Sequence, residues 1–176
     1  MTKGCFVENN LQQLISKILF IIIPMPKTKI SKNKNDVVSQ DSSTGWLYTE
    51  TVKEHFFKPR NIQLTDPRPA EFNGKGTVGS PVCGDVMTMW IKIDKTTDRI
   101  IKCTWRTFGC ASAIASTSML SVMVTRRGGM KLEDAIKLKP QDILRELGGL
   151  PARKVHCSVL GDQALRSAIA DYKSKK

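Results

Sequence analysis

Aromatic residues make up only 6% of this 176-residue chain, and they are not interleaved with basic residues. No nucleic-acid-binding motif occurs, so nucleic-acid binding rests on charge alone. No two cysteines stand two to four residues apart, which argues against a closed structural zinc module or a ferredoxin-type cluster. The five cysteines (Cys5, Cys83, Cys103, Cys110 and Cys157) also lack the regular close spacing of a secreted disulfide framework. No arginine precedes Arg60, whereas a mitochondrial presequence is arginine-rich. The apolar run ending at Ile23 is too short to span a membrane, and no small-x-small cleavage site follows it. There is no internal repeat.

The rest of the composition is ordinary, with 40% hydrophobic and 25% charged residues. That is the balance of a globular protein, and the length suits one well-cored domain plus a tail. The formal charge of +12 fits a solvated basic surface, or a meeting with nucleic acid, anionic lipid or an acidic protein. Unpaired cysteines imply a reducing compartment.

Residues 1–46 and 47–176 differ in texture. Leu11, Leu14, Ile15, Ile18, Leu19 and Ile22 share a helical face, and Pro24 and Pro26 stop that helix. A membrane-surface helix is one reading of it. The polar stretch from Lys27 to Thr44 reads as a flexible linker. Met25 is an in-frame alternative start, which would leave residues 1–24 untranslated.

From Trp46 onward the pattern tightens. Thr51 and Glu54 fit a capping box for a short helix through Phe57, which Pro59 ends. Residues 63–80 read as a loop. Met87, Met89, Ile91 and Ile93 alternate as a strand, and Ile101, Cys103, Trp105 and Thr107 as a second, with a turn over Asp94–Asp98 making a hairpin. Ala113, Ile114, Thr117, Leu120, Ser121 and Val124 keep helical spacing up to Gly128-Gly129. Shorter helices are expected over Leu132–Leu138 and Gln141–Leu147. Ser158 is placed to cap a final helix with an apolar face of Leu160, Ala164, Leu165, Ala168 and Ile169. The expected fold is α+β: a small antiparallel sheet of about three strands, helices packed on it, and metal-site loops at one end.

Cys83, Asp85, Cys110, His156 and Cys157 carry the chemistry. Thiolate, not thiol, binds metal or attacks sulfur. Cys110 and Cys157 each stand at an expected helix N-terminus, where the dipole favours the anion. Arg153 and Lys154 add positive charge beside Cys157. Cys83 lies in a glycine-flanked loop whose backbone amides can face a sulfur-rich anion. Soft thiolates suit zinc, iron or an iron–sulfur cluster. Ligands contributed singly by three loops make an exposed, labile site, which suits a carrier better than a structural module.

These residues resemble the IscU/NifU-type iron–sulfur cluster scaffolds. The resemblance runs from Leu47 to Lys175 through Tyr48–Asn61, Val78–Val86, Thr107–Ser118, Lys154–Leu160 and Ala168–Lys175. It implies a protein that takes sulfane sulfur from a cysteine desulfurase and iron from a donor. On it a transient [2Fe–2S] cluster is built and passed to apo-proteins. Such a protein is a scaffold, not a turnover enzyme. The family's ligand cysteines fall on Cys83, Cys110 and Cys157, its aspartate on Asp85 and its histidine on His156. Cys157 is the first candidate for persulfide acceptor, with Lys154 beside it, and Cys110 the rival. The segment recognised by an Hsp70-type chaperone falls on Leu150, Pro151, Ala152, Arg153 and Lys154. There Ala152 and Arg153 replace the usual Pro and Val, which puts chaperone binding in doubt. Ala111 replaces the glycine common after the middle cysteine.

The alternative is a zinc-dependent persulfide relay or a structural zinc module, with zinc also a placeholder in isolated protein. A cysteine hydrolase is disfavoured, because His156 and Cys157 are sequence neighbours and cannot easily form a nucleophile–base pair. Cys103 reads as a core residue, His55 as a surface residue on a polar helix, Met87 and Met89 as strand core, and the Lys173–Lys176 tail as a solvated helix end. Cys5 is assigned no role. The expected compartment is a bacterial-type cytoplasm, ahead of a mitochondrial matrix, with no membrane association.

Overall fold

The alternation of Met87, Met89, Ile91 and Ile93 places four side chains on one face of a strand, and all four are buried. Full burial of a side chain of this kind contributes about 1.5–3 kcal/mol. They belong to β2 (Val86–Asp94), which pairs antiparallel with β3 (Arg99–Phe108) to form the expected hairpin. The computed structural model describes residues 48–80, 84–155 and 157–176, and no side chain at Arg153, Cys157 or Ser158. The expectations for residues 1–46, for Cys83 and for His156 therefore lie outside the described residues.

A third strand appears where a loop was expected. β1 (Gly74–Gly79) pairs antiparallel with β2, and the two-residue β4 (Met130–Lys131) pairs with the far end of β3. Among the described residues the sheet thus has four strands in the order β1-β2-β3-β4, not about three. β1 carries glycine at its inward positions because the final helix lies directly on it. A Cβ on Gly76 would stand 2.3 Å from the Ala164 carbonyl oxygen, and one on Gly74 2.5 Å from that of Ala168. Apolar alternation is absent there because no side chain fits.

The expectation that Ile101 shares a core face with Cys103 is also corrected. The register moves from Lys92↔Lys102 to Ile93↔Ile100, leaving Ile101 as an extra residue in a bulge. Ile100 turns inward and Ile101 is 51% exposed, while Cys103 and Trp105 stay in the core.

Among the described residues the helices are α1 (Glu50–Phe57), α2 (Ala111–Thr125), α3 (Leu132–Lys137), α4 (Pro140–Leu147) and α5 (Cys157–Ser174). Thr49, not Thr51, caps α1: its hydroxyl accepts the Val52 amide and donates to the Leu147 carbonyl at the end of α4, at 2.6 Å. Ser158 lies inside the first turn of α5, so it is not the residue ahead of that helix.

α2 is the central helix, packed against α1, β3 and α5. Ser112, Ser116, Thr117, Ser118 and Ser121 are all buried on it. Ser116, Thr117 and Ser121 return their hydroxyls to carbonyls one turn back, which makes burial of these polar groups tolerable.

Ser118 is also a seat for α1. Its oxygen lies 2.8 Å from His55 Nδ1 and accepts the Arg60 amide, also at 2.8 Å. His55 is therefore buried, at 5% exposure, contrary to the surface position expected from a polar helix.

Candidate functional site

Asp85 and Cys110 stand at the open end of the hairpin, just outside the paired residues Val86 and Phe108. At the two ends of the β1–β2 loop the Ser80 amide donates to the Asp85 carbonyl and the Gly84 amide to the Ser80 carbonyl, each at 2.8 Å. Gly84 has φ +69°, a conformation glycine adopts without cost, and a Cβ there would meet nothing within 4 Å. Cys83 belongs to this loop in sequence but lies outside the described residues.

Asp85 follows Gly84 and is 6% exposed. Its Oδ2 is buried and has no hydrogen-bond partner among the described residues. An unpartnered buried carboxylate oxygen is costly, and such groups call for an explanation in function. β3 returns to the same end at Phe108, directly opposite Val86. Gly109 and Cys110 then lead into α2. Cys110 is half-buried and is the N-cap residue of α2, with extended backbone, and its carbonyl accepts the Ile114 amide at 3.0 Å.

Asp85 and Cys110 meet through Gly109. A Cβ on Gly109 would lie 3.1 Å from both Cγ and Oδ2 of Asp85 and 3.3 Å from the Ala113 Cβ. The carboxylate thus rests against the backbone that immediately precedes Cys110. Tyr48 ties down the same helix start, its hydroxyl 3.1 Å from that of Ser112.

The other expected residues lie in the segment that joins α4 to α5. Gly148 (φ +74°) and Gly149 (φ +104°) end α4. Leu150 and Pro151 are half-buried, Ala152 is exposed, and Ala152–Lys154 form a 3-10 turn in which the Lys154 amide donates to the Pro151 carbonyl. Lys154 is half-buried. Cys157 opens α5, as its sequence context predicts, and His156 lies outside the described residues. Among the described residues no three His, Cys, Asp or Glu side chains converge to hold a metal.

Cys103 behaves differently from Cys110. It is 1% exposed in the core, and burial pushes its thiol up to about 12, which makes it inert toward metal and sulfur alike. Sequence reasoning missed two contributors to the site, Gly109 and Tyr48. A glycine before the middle cysteine was visible, but nothing in the sequence says that a carboxylate packs against it. The rim is apolar: Phe108 is 82% exposed and Val86 47%. No helix among the described residues is long and apolar enough to cross a membrane.

Comparison with known proteins agrees with this arrangement. A family model described as the NifU-like N terminal domain matches residues 47–176. The chain is 45% identical over 130 residues to "Iron-sulfur cluster assembly enzyme IscU" of Drosophila melanogaster, covering 74% of this chain and 80% of that protein. It is 43% identical over 129 residues to "Iron-sulfur cluster assembly scaffold protein IscU" of Aquifex aeolicus, covering 73% and 78%. Against "Nitrogen fixation protein NifU" of Azotobacter chroococcum it is 44% identical over 131 residues, covering 74% of this chain but spanning only 40% of that relative. The crystal structure of a NifU-like N-terminal protein from Brucella abortus shares the fold, with a TM-score of 0.54 at 19% identity, covering 74% of this chain and 96% of that one. The chain belongs to the NifU-like N-terminal domain family.

Proposed function

We propose that residues 47–176 form a scaffold on which iron and desulfurase-derived sulfur are assembled into a [2Fe–2S] cluster, which is then passed to apo-proteins. The observation that carries this reading is the buried Asp85 carboxylate beside the Cys110 helix start, whose Oδ2 has no hydrogen-bond partner among the described residues. A hard oxygen donor among soft thiolates weakens the hold on a sulfur-rich cargo, and a carrier must release what it builds. Cys83, Cys110, Cys157, Asp85 and His156 supply the ligand set. Cys157 accepts the persulfide sulfur, with Lys154 favouring its thiolate, and Cys110 is the rival acceptor. The transferred sulfur is at the sulfane level, so an external reductant must supply two electrons to make each sulfide.

The partners on this reading are a cysteine desulfurase, an iron donor and apo iron–sulfur proteins. The basic surface favours an acidic desulfurase patch, and that contact weakens with salt. The segment Leu150–Lys154 is the chaperone-facing element, with affinity reduced by Ala152 and Arg153. Residues 1–46 are an extension outside the scaffold domain. The reducing compartment is a bacterial-type cytoplasm or, second, a mitochondrial matrix.

The test is anaerobic incubation with a desulfurase, cysteine, ferrous iron and a reductant, followed by visible spectroscopy and assay of iron, zinc and acid-labile sulfide. Equal iron and sulfide with a visible chromophore supports the scaffold. Persulfide uptake with retained zinc and no sulfide would replace it with the zinc-dependent relay.

A further inference from the structure

We propose that Gly109 is a positioning residue: the side chain it lacks leaves the space in which the Asp85 carboxylate rests beside Cys110, and so sets how fast cargo leaves. This rests on the scaffold reading and adds to it a control on release. Gly109 is not among the glycines at positive φ, so its backbone does not require glycine. The need is for room. A Cβ there would press on Asp85 Cγ and Oδ2 at 3.1 Å and on the Ala113 Cβ at 3.3 Å.

Of these neighbours, Ala113 is fully buried on the central helix and cannot give way. The backbone of Asp85 is also fixed, by the Ser80 amide on its carbonyl and by the pairing of the next residue, Val86, with Gly79 and Phe108. The carboxylate is the group left to move. Among the described residues no hydrogen bond at Oδ2 holds it in place. Gly84, one residue before Asp85, is the opposite case: positive φ and open space. Glycine is therefore present at Gly84 for conformation and at Gly109 for room.

Gly109→Ala keeps an allowed backbone and displaces the carboxylate by a few tenths of an ångström. Misplacement by ~1 Å costs on the order of 100-fold in oriented chemistry, so the displacement predicts a change of about fourfold. The experiment assembles cluster on wild type, G109A, D85A and the double variant, and follows loss of the chromophore to apo-ferredoxin. Thermal melts confirm that each variant is folded. G109A is expected to release cluster about fourfold more slowly than wild type, with the double variant no slower than D85A alone. Release from G109A at or above the wild-type rate, or additive effects in the double variant, overturns the proposal.

If wild type assembles no cluster, the scaffold reading has failed on its own terms. The positioning claim is then read from zinc affinity in a chelator competition. G109A is expected to weaken zinc binding in the Asp85 background and to have no effect in D85A; unchanged affinity in both overturns it.

Discussion

His55 Nδ1 lies 2.8 Å from Ser118 Oγ, and the same oxygen accepts the Arg60 amide. The serine's own proton can then serve Nδ1, which leaves the imidazole neutral with its proton on Nε2. Burial, reinforced by the Arg60 charge and partly opposed by Glu54, holds His55 below its ordinary value of 6.5. The unfolded chain takes up a proton near that value, and the folded chain resists it. Stability is therefore full above pH 6.5 and falls as the pH drops below it. Urea midpoints at pH 7.5 and 5.5 should differ in wild type, and the difference should shrink in His55→Gln. An equal difference in both proteins would remove His55 as the cause.

The contact between β1 and α5 gives a paired prediction. Gly76→Ala places a Cβ 2.3 Å from the Ala164 carbonyl oxygen and 2.5 Å from the Ala168 amide nitrogen. Both are backbone atoms, so the helix must move, at a cost of about 1–3 kcal/mol. Gly79→Ala meets nothing closer than 3.7 Å and should be close to neutral. Denaturant unfolding of the two variants checks the contrast.

Thr49→Val removes the α1 cap and the bond to Leu147 together. The loss should be about 1–2 kcal/mol, the usual size of a cap. Because Leu147 ends α4 just before the Leu150–Lys154 segment, limited proteolysis should show faster cutting at both α1 and that segment. Cutting confined to α1 would mean that the tie to α4 carries no stability.

Thiol labelling separates the cysteines. With its thiol pushed up to about 12 and 1% exposure, Cys103 should stay unlabelled by iodoacetamide at pH 8 until denaturant is added. Cys110, half-buried at a helix start, should react in the native protein. Mass spectrometry of the labelled peptides reads both, and native labelling of Cys103 would contradict its place in the core.

Much of the fold was legible because it follows period and punctuation. The alternation in β2, the face of α5 and the glycines after α2 read directly. What failed depended on a neighbour far away in sequence. β1 was hidden because backbone, not side chain, covers Gly74 and Gly76. Ile101 was misplaced because a bulge shifts the register of β3. His55 looked solvated because its partner, Ser118, is a polar residue buried on the central helix. At the site, the helix starts at Cys110 and Cys157 were readable from local context. The approach of Asp85 to Gly109 was not, since it arises only when the β1–β2 loop and the start of α2 meet.

The central claim is that Asp85 makes the bound cluster easy to give away. The most direct measurement is the half-time of cluster transfer to apo-ferredoxin from wild type and from Asp85→Ala, both assembled anaerobically. Loss of a charged contact is worth about 1.5–3 kcal/mol, which predicts a half-time longer in the variant by on the order of tenfold or more. Transfer from Asp85→Ala as fast as from wild type, or faster, would contradict the account.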